Sequence, residues 1–350
     1  MTFIIFEKNN GMILFEEEGN LHKFTRLLSG IDYSSLFVLT DKNTSVNCSP
    51  VLHDTNVNFL EITVEDGEHN KTWDNVAAIT SELMQHRADR QSLLINLGGG
   101  MITDLGGFVA SVFKRGIRFI HIPTSLLAMV DAAIGGKNGI NFNGIKNQLG
   151  CIRQPEAVYI NPIFLTTLPE KEHFSGLAEM LKHGLIADYA YFESLASYPD
   201  INLFEAIKRS VEIKQRIIRQ DPHEKGLRKI LNFGHTVGHA LEAFYQDRGL
   251  PVTHGHAVAL GMIAELYLSS EITGLEKKFL NQASEVLHKF YKVPHLKPGL
   301  DELAPYLVQD KKNLNGRLLA VLLKSPSEPL TDIPVPADVL KQSLDYLFVE

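Results

Sequence analysis

Glu179, His235, His239 and His254 are the residues of this chain whose types and spacing could do chemistry together. His235 and His239 are four apart in Asn232-Phe233-Gly234-His235-Thr236-Val237-Gly238-His239-Ala240-Leu241-Glu242, so on a helix they share one face. Fifteen residues beyond His239 comes His254-Gly255-His256. Upstream, Glu179-Met180-Leu181-Lys182 sets a carboxylate and an ammonium one helical turn apart. A glutamate with two histidines is a ligand set of catalytic zinc, which leaves coordination positions open for substrate oxygens. Any one of these histidines, taken alone, reads better as a helix cap or a satisfied core group. A group this dense, accompanied by a glycine-rich loop in the other half of the chain, points to a metal site.

That loop is Gly98-Gly99-Gly100, which follows the apolar run Ser92–Leu97 and precedes Asp104, Gly106 and Gly107. Glycines let backbone amides approach a phosphate, and a helix start supplies further donors, although the spacing is not the usual dinucleotide fingerprint. Asp66-Gly67-Glu68-His69-Asn70-Lys71 offers carboxylates for ribose hydroxyls, and would otherwise be a solvated turn. Asp41, ending an earlier apolar run, suits a ribose or a helix cap. A third cluster holds Asp131, Gly135-Gly136-Lys137 and Gly144-Ile145-Lys146-Asn147. Lys214, Arg228 and Asn232 follow in the second half. Lysine supplies a point charge and arginine a fork for phosphate or carboxylate. Each of these alone reads as a surface residue; together they describe a polyanion held beside a metal.

The elements that position these residues differ between the two halves. Short apolar runs alternate with helical patterns in the first: Leu36–Thr40, Asn58–Ile62, Ser92–Leu97 and Phe119–Ile122 are strand-like, Thr72–His86 and Asp104–Val112 helical. Such alternation predicts a parallel sheet covered on both faces. From about Pro169 long amphipathic stretches dominate: Glu172–Ala187, Leu203–Arg219, Arg228–Tyr245, His256–Ser270 and Glu276–Phe290, with one strand-like run, Arg317–Leu323. The expected fold is an α/β, Rossmann-like nucleotide-binding domain over residues 1–168, then a mainly α-helical metal- and substrate-binding domain over 169–350.

The 350 residues allow two domains with sizeable cores, and a net charge of −7 gives no basic field for nucleic acid. Two cysteines, Cys48 and Cys151, are too few for a disulfide framework and suit a reducing cytoplasm. The pattern of residues 1–7 leads us to expect no signal peptide, and no apolar run reaches membrane-spanning length.

In order along the chain stand Gly98–Phe108, Arg115-Gly116-Ile117-Arg118-Phe119, Pro123–Asp131, Gly135-Gly136-Lys137, Lys146-Asn147, Thr167-Leu168-Pro169, Gly176-Leu177-Ala178-Glu179, Asn232-Phe233-Gly234-His235 and His254-Gly255. In these stretches the chain resembles the 3-dehydroquinate synthase family, within the sugar-phosphate cyclase superfamily. The likeness runs from about Asp41 to Lys312 and is most specific in the middle.

The resemblance implies a dehydroquinate synthase-like fold, a homodimer, and bound NAD with one divalent metal, zinc or cobalt. It implies metal ligands Glu179, His235 and His254, with His239, Lys182, Lys137 and Asp131 in catalysis. Lys146, Asn147, Lys214, Arg228, Asn232 and one of Lys311 and Lys312 would hold substrate. Asp41, Asp66, Gly67, Glu68, Lys71, Gly99, Gly100, Met101, Asp104, Thr124, Ser125, Lys137, Lys146, Phe164 and Thr167 would line the NAD site. The family's reaction takes 3-deoxy-D-arabino-heptulosonate 7-phosphate to 3-dehydroquinate and phosphate. It proceeds by transient oxidation, phosphate elimination, re-reduction, ring opening and aldol closure, with no net redox change. Against the family pattern, Thr103 replaces a glycine, Ser125 a threonine, Ala132-Ala133 a pair of serines, Asn138 a threonine and His256 a glutamate. Two other readings share much of this apparatus: a deoxy-inosose or valiolone type of cyclase, and a metal-dependent polyol dehydrogenase. Lys214, Arg228 and Asn232 together favour the dehydroquinate type.

Overall fold

The computed structural model describes residues 3–4, 11–17, 19–143, 145–308 and 318–348. The chain divides into two compact units, Met1–Pro169 and Glu170–Glu350.

The first unit is α/β. Its elements in chain order are β1 (Phe3–Ile4), β2 (Met12–Phe15), α1 (His22–Ser29), β3 (Leu36–Asp41), α2 (Lys42–Asn47), α3 (Ser49–His53) and β4 (Leu60–Val64). There follow α4 (Trp73–Gln85), β5 (Leu93–Gly98), α5 (Gly100–Val112), β6 (Arg118–Pro123), β7 (Lys137–Phe142), β8 (Ile145–Ile152) and β9 (Ala157–Ile160). Seven strands form one sheet in the order β1-β2-β9-β6-β5-β3-β4, parallel except for the β1–β2 pair. The central strands β3, β5 and β6 are buried along almost their whole length, as apolar runs in a sheet covered on both faces must be. Leu39, Leu94, Ile102, Leu105 and Val109 meet in the core between the sheet and α5, so burial holds that helix directly after β5. Strands β7 and β8 form a separate antiparallel hairpin that begins at Lys137 and carries Lys146 and Asn147.

The second unit is largely helical: α6 (Glu170–Ala187), α7 (Tyr189–Leu195), α8 (Leu203–Gln220), α9 (His235–Asp247), α10 (His254–Thr273), α11 (Lys277–Phe290) and α12 (Leu300–Val308). The hairpin β10 (Leu319–Ser325) and β11 (Glu328–Pro334) and then α13 (Ala337–Leu347) complete it. Helix α10 is its axis. It is apolar on all sides, and α6, α9, α11, α13 and β10 pack around it. Among the described residues no helix is long and apolar enough to cross a membrane.

Two expectations about local structure are corrected. The stretch Arg228–Tyr245 is not one helix. A 3-10 turn spans Leu227–Asn232, and Gly234, with φ 79°, breaks the chain before α9 begins at His235. At three residues per turn, Arg228 and Asn232 do not share a face as they would on an α-helix. The second correction concerns strands. Runs β2, β7, β8, β9 and β11 are strands with no strong apolar alternation; distant chain pairs with β2 and β9, while β7 with β8 and β10 with β11 close as local hairpins.

Candidate functional site

In the first unit the sequence-marked residues gather at the C-terminal ends of β3, β5 and β6. Strand β5 ends at Gly98, and α5 starts at Gly100 with Gly99 as its N-cap and no side-chain cap bond. Gly99 gives the leading amides of α5 no capping side chain, a condition in which a helix start accepts an anion. Met101 is on this first turn. Thr124 follows β6 and donates its amide to Gly98 O (3.0 Å). The Ser125 hydroxyl accepts from Ala128 N (3.2 Å) and faces Gly99 closely enough that a Cβ there would lie 3.4 Å away.

Lys71 sits between two acids. Its buried ammonium is 2.7 Å from Glu68 and 2.9 Å from Asp104, which lies on α5. Burial works against the charge of Lys71, but Asp104 and Glu68 together hold its pKa above the ordinary value. Burial likewise pushes the Asp104 carboxyl up to about 6, against the pull of Lys71. The hairpin is tied to this loop: Asn141 donates to Glu68 O (3.1 Å), and its amide to Lys71 O (2.8 Å). Asn147, at φ 53°, donates its amide to Asn141 Oδ1 (3.0 Å), while Lys137 and Lys146 project from the hairpin with exposed side chains.

Other residues expected near a nucleotide are placed less centrally. One Asp41 oxygen is engaged as the cap of α2, accepting from Thr44 N (2.8 Å). Asp66 O accepts from Asn70 (2.7 Å), and Gly67, at φ 98°, turns the chain into the Glu68–Asn70 3-10 turn. Asp131 lies in the π-turn Ala128–Ala132. Phe164 is buried in the Pro162–Leu165 turn and Thr167 is exposed just after it.

In the second unit, three helices converge on one carboxylate. Glu179, on α6, has no solvent exposure, and among the described residues its Oε1 accepts no hydrogen bond. Its Oε1 lies 3.6 Å from His235 Nε2 and 3.8 Å from His254 Nε2, while Oε2 is ion-paired with the buried Lys182. Ligand atoms on a tetrahedral zinc, with bonds of about 2.0–2.1 Å, sit about 3.4 Å apart. The two imidazoles are also in the right tautomer to ligate. His235 Nδ1 is 3.1 Å from Phe233 O and His254 Nδ1 is 3.2 Å from Glu242 Oε2. Both partners only accept, so each Nδ1 carries a proton, and in the neutral ring it is Nε2, the atom nearer Glu179 Oε1, that has the lone pair to ligate. This donor set fits a divalent ion. His239, one turn along α9, is exposed, with ring centroids 5.0 Å from His235 and 5.7 Å from His254. His235, His239 and His254 could themselves gather round an ion, so Glu179 and His239 are alternative third donors.

His256 faces elsewhere. Its Nε2 lies 2.8 Å from Lys292 O and its ring is 5.8 Å from that of Tyr291. Thr253 caps α10 by accepting from His256 N (3.3 Å), and Gly255 N donates to Ser175 Oγ (3.1 Å), which seats the start of α10 on α6.

The residues expected to hold an anion lie in and beside the 3-10 turn. Arg228 is buried, donates to Pro222 O (2.9 Å), and its amide reaches Asp221 (3.1 Å). Asn232 donates to Glu224 Oε1 (2.9 Å), and Lys214 is buried on α8. Lys311 and Lys312 lie outside the described residues. Asp221, Glu224, Glu242 and Glu265 were not singled out from sequence. Asp221 accepts three backbone amides, from Lys225, Gly226 and Arg228, which shape the loop and hold its pKa below the ordinary value. For Glu265 a signal existed: a carboxylate set between Ala264 and Leu266 in the apolar middle of a helix has to be buried with donors.

The fold is shared by solved synthases that act with NAD+ and a metal ion. A 2-deoxy-scyllo-inosose synthase, solved with carbaglucose-6-phosphate, NAD+ and Co2+, aligns with TM-score 0.86 at 23% identity, covering 98% of each chain. A 2-epi-5-epi-valiolone synthase from Streptomyces hygroscopicus, with NAD+ and Zn2+ bound, gives 0.85 at 24%, again over 98% of each. Family models described as 3-dehydroquinate synthase N-terminal and C-terminal match residues 61–175 and 176–313. The 3-dehydroquinate synthase of Parabacteroides distasonis is 41% identical over 334 residues, 91% of this chain and 93% of that one. That of Leptospira interrogans is 37% identical over 315 residues, 87% and 86%. The chain belongs to the 3-dehydroquinate synthase family.

Proposed function

We infer that this chain converts 3-deoxy-D-arabino-heptulosonate 7-phosphate to 3-dehydroquinate and phosphate, as a cytoplasmic homodimer using NAD and one divalent ion, zinc or cobalt. Family membership supports the reaction, and the solved cyclases with NAD+ and Co2+ or Zn2+ support the cofactors. The observation that carries the reading is the buried Glu179 carboxylate, with Oε2 on the Lys182 ammonium and Oε1 faced by the Nε2 atoms of His235 and His254.

Glu179, His235 and His254 hold the ion, and the uncapped start of α5 with Gly99, Gly100 and Met101 receives the dinucleotide phosphates. When bound, NAD supplies a reversible oxidation that acidifies the neighbouring C–H, and the ion polarises vicinal substrate oxygens. Lys182 offsets the Glu179 charge that burial would otherwise penalise. His239, exposed beside His235, takes and returns the hydroxyl proton at an imidazole nitrogen. Lys214, Arg228 and Asn232 bind the anionic groups of the substrate, together with Lys146 and Asn147 of the hairpin and one of Lys311 and Lys312. Asp131 and Lys137 act with them on the reacting sugar. Asp41, Asp66, Gly67, Glu68, Lys71, Asp104, Thr124, Ser125, Lys137, Lys146, Phe164 and Thr167 make the remaining cofactor contacts.

The test follows phosphate and NADH together during turnover of the heptulosonate phosphate. One phosphate per dehydroquinate with no accumulating NADH is expected. Stoichiometric NADH growth would replace this reading with a polyol dehydrogenase; the structure described as a probable glycerol dehydrogenase from Sinorhizobium meliloti aligns with this chain at TM-score 0.61 and 14% identity.

A further inference from the structure

Helix α9 begins with the metal ligand His235 and has no cap of its own. Gly234, its N-cap residue, is left-handed and offers no side chain. The first intrahelical bond runs from Gly238 N to Gly234 O (3.1 Å), so the amides before it need partners from elsewhere. They find one in Glu265, a residue of α10 with no solvent exposure. Glu265 Oε2 accepts from Gly234 N (2.6 Å), and Oε1 accepts from Thr236 N (3.0 Å) and Val237 N (3.3 Å). One carboxylate carried by a neighbouring helix thus does the work of the missing cap.

Its placement is fixed by backbone contact. A Cβ at Gly234 would lie 2.8 Å from Val258 O, and one at Gly238 would lie 2.8 Å from Ala257 O, so α9 and α10 touch with nothing between them. Helix α10 itself begins with His254, the ligand from the second helix. Glu265 therefore ties the start of α9 to the body of the helix whose own start bears the other histidine. The tie also acts on charge. A dication at the first residue of a helix meets the positive end of the macrodipole, which disfavours it. A buried carboxylate on those same amides offsets that field.

We propose that Glu265 is a positioning residue for the metal site, setting where His235 stands relative to His254 and making the start of α9 tolerant of a divalent cation. The inference rests on the ligand set Glu179, His235 and His254.

Glu265→Gln keeps the shape but not the chemistry. An amide accepts at one end only, so its NH2 must face a backbone N–H at the other. The matched control is Glu16→Gln in the other unit. Glu16 is likewise buried, accepts Lys23 N at both oxygens (3.0 Å each) at the start of α1, and receives the Tyr159 hydroxyl (2.6 Å). Titration of the metal-stripped proteins with Co2+ or Zn2+, beside thermal melts, reads the difference. Glu265→Gln is expected to weaken metal binding by about tenfold or more, the range for groups that orient metal ligands. Saturating metal should return phosphate release to near the parent rate. Glu16→Gln is expected to lower the melting temperature and leave metal affinity unchanged. Parent-like affinity in Glu265→Gln overturns the inference, as does an equal affinity loss in Glu16→Gln. If Glu265→Gln fails to fold, Glu265→Asp, one methylene shorter, is read by the same titration: weaker binding supports the role and parent-like binding overturns it. A parent protein that binds no divalent ion overturns the ligand assignment itself.

Discussion

The start of α5 and the start of α9 both follow a glycine that supplies no capping side chain, yet only the leading amides of α9 are taken by a carboxylate from another helix. At α5 the chain runs straight from a buried strand through Gly99 into the helix, and no side chain caps that start. At α9 the amides are taken by Glu265, and the function of the turn passes to the side chain of His235. The first place is built from backbone along one stretch of chain. The second is built from side chains on three helices, α6, α9 and α10, each of which has to be packed before Glu179, His235 and His254 meet. A backbone-built site is sensitive to added atoms; a side-chain-built site is sensitive to lost ones.

Adding a single methyl group is the sharpest way to break the first half of that comparison. Gly106→Ala on an ordinary exposed helix would stabilise by about 1 kcal/mol. On α5 the new Cβ would overlap the Asn96 side-chain amide and lie 2.9 Å from Leu39 Cδ2. Overpacking of this kind costs about 1–3 kcal/mol, and it pushes α5 away from the sheet. A lowered melting temperature with weakened NAD binding and parent-like metal affinity is expected. A stabilised variant that binds NAD normally would show that α5 has slack beneath it.

How far the two places were legible in sequence follows from the same difference. Gly98-Gly99-Gly100 after an apolar strand is a contiguous pattern, and the structure puts it at a strand–helix junction. The helix there starts at Gly100, four residues before the expected Asp104, because burial of Met101 and Ile102 carries the helical turn forward. Glu179, His235, His239 and His254 were legible as types, but nothing local says that two Nε2 atoms face one carboxylate. Glu242 and Phe233 O, which set the tautomers, act through contacts that spacing does not encode. The hairpin bearing Lys137, Lys146 and Asn147 escaped a strand reading because β8 is mostly exposed on both faces, which erases apolar alternation. The break at Gly234 was hidden in a run whose apolar period continues through it.

A smaller effect sharpens the comparison on the nucleotide side. Asp104 has a folded pKa of about 6 against an ordinary 3.8, because burial outweighs Lys71. A carboxyl raised on folding contributes stability that is fully present below about 3.8 and lost as pH rises through about 6. Asp104→Asn should flatten the dependence of melting temperature on pH in that window. Because Lys71 lowers the Asp104 pKa, Lys71→Met should move it further up, read as the carboxyl carbon shift in an NMR titration. A carboxyl that titrates near 4 in both proteins would mean that solvent, rather than Lys71, governs this corner.

The side-chain half rests on which histidine completes the metal site. His254 presents Nε2 to Glu179, whereas His256 points its Nε2 at Lys292 O, a group that only accepts, so that nitrogen carries a proton and has no lone pair to give. Metal content of the purified His254→Ala and His256→Ala proteins, measured by elemental analysis after dialysis against a trace of Zn2+, tests this directly. The account predicts that His254→Ala loses the ion, with affinity down by more than about 100-fold, beyond the 10–100-fold expected for outer partners, while His256→Ala retains it. Equal loss in both, or loss in His256→Ala alone, would contradict the ligand set Glu179, His235 and His254.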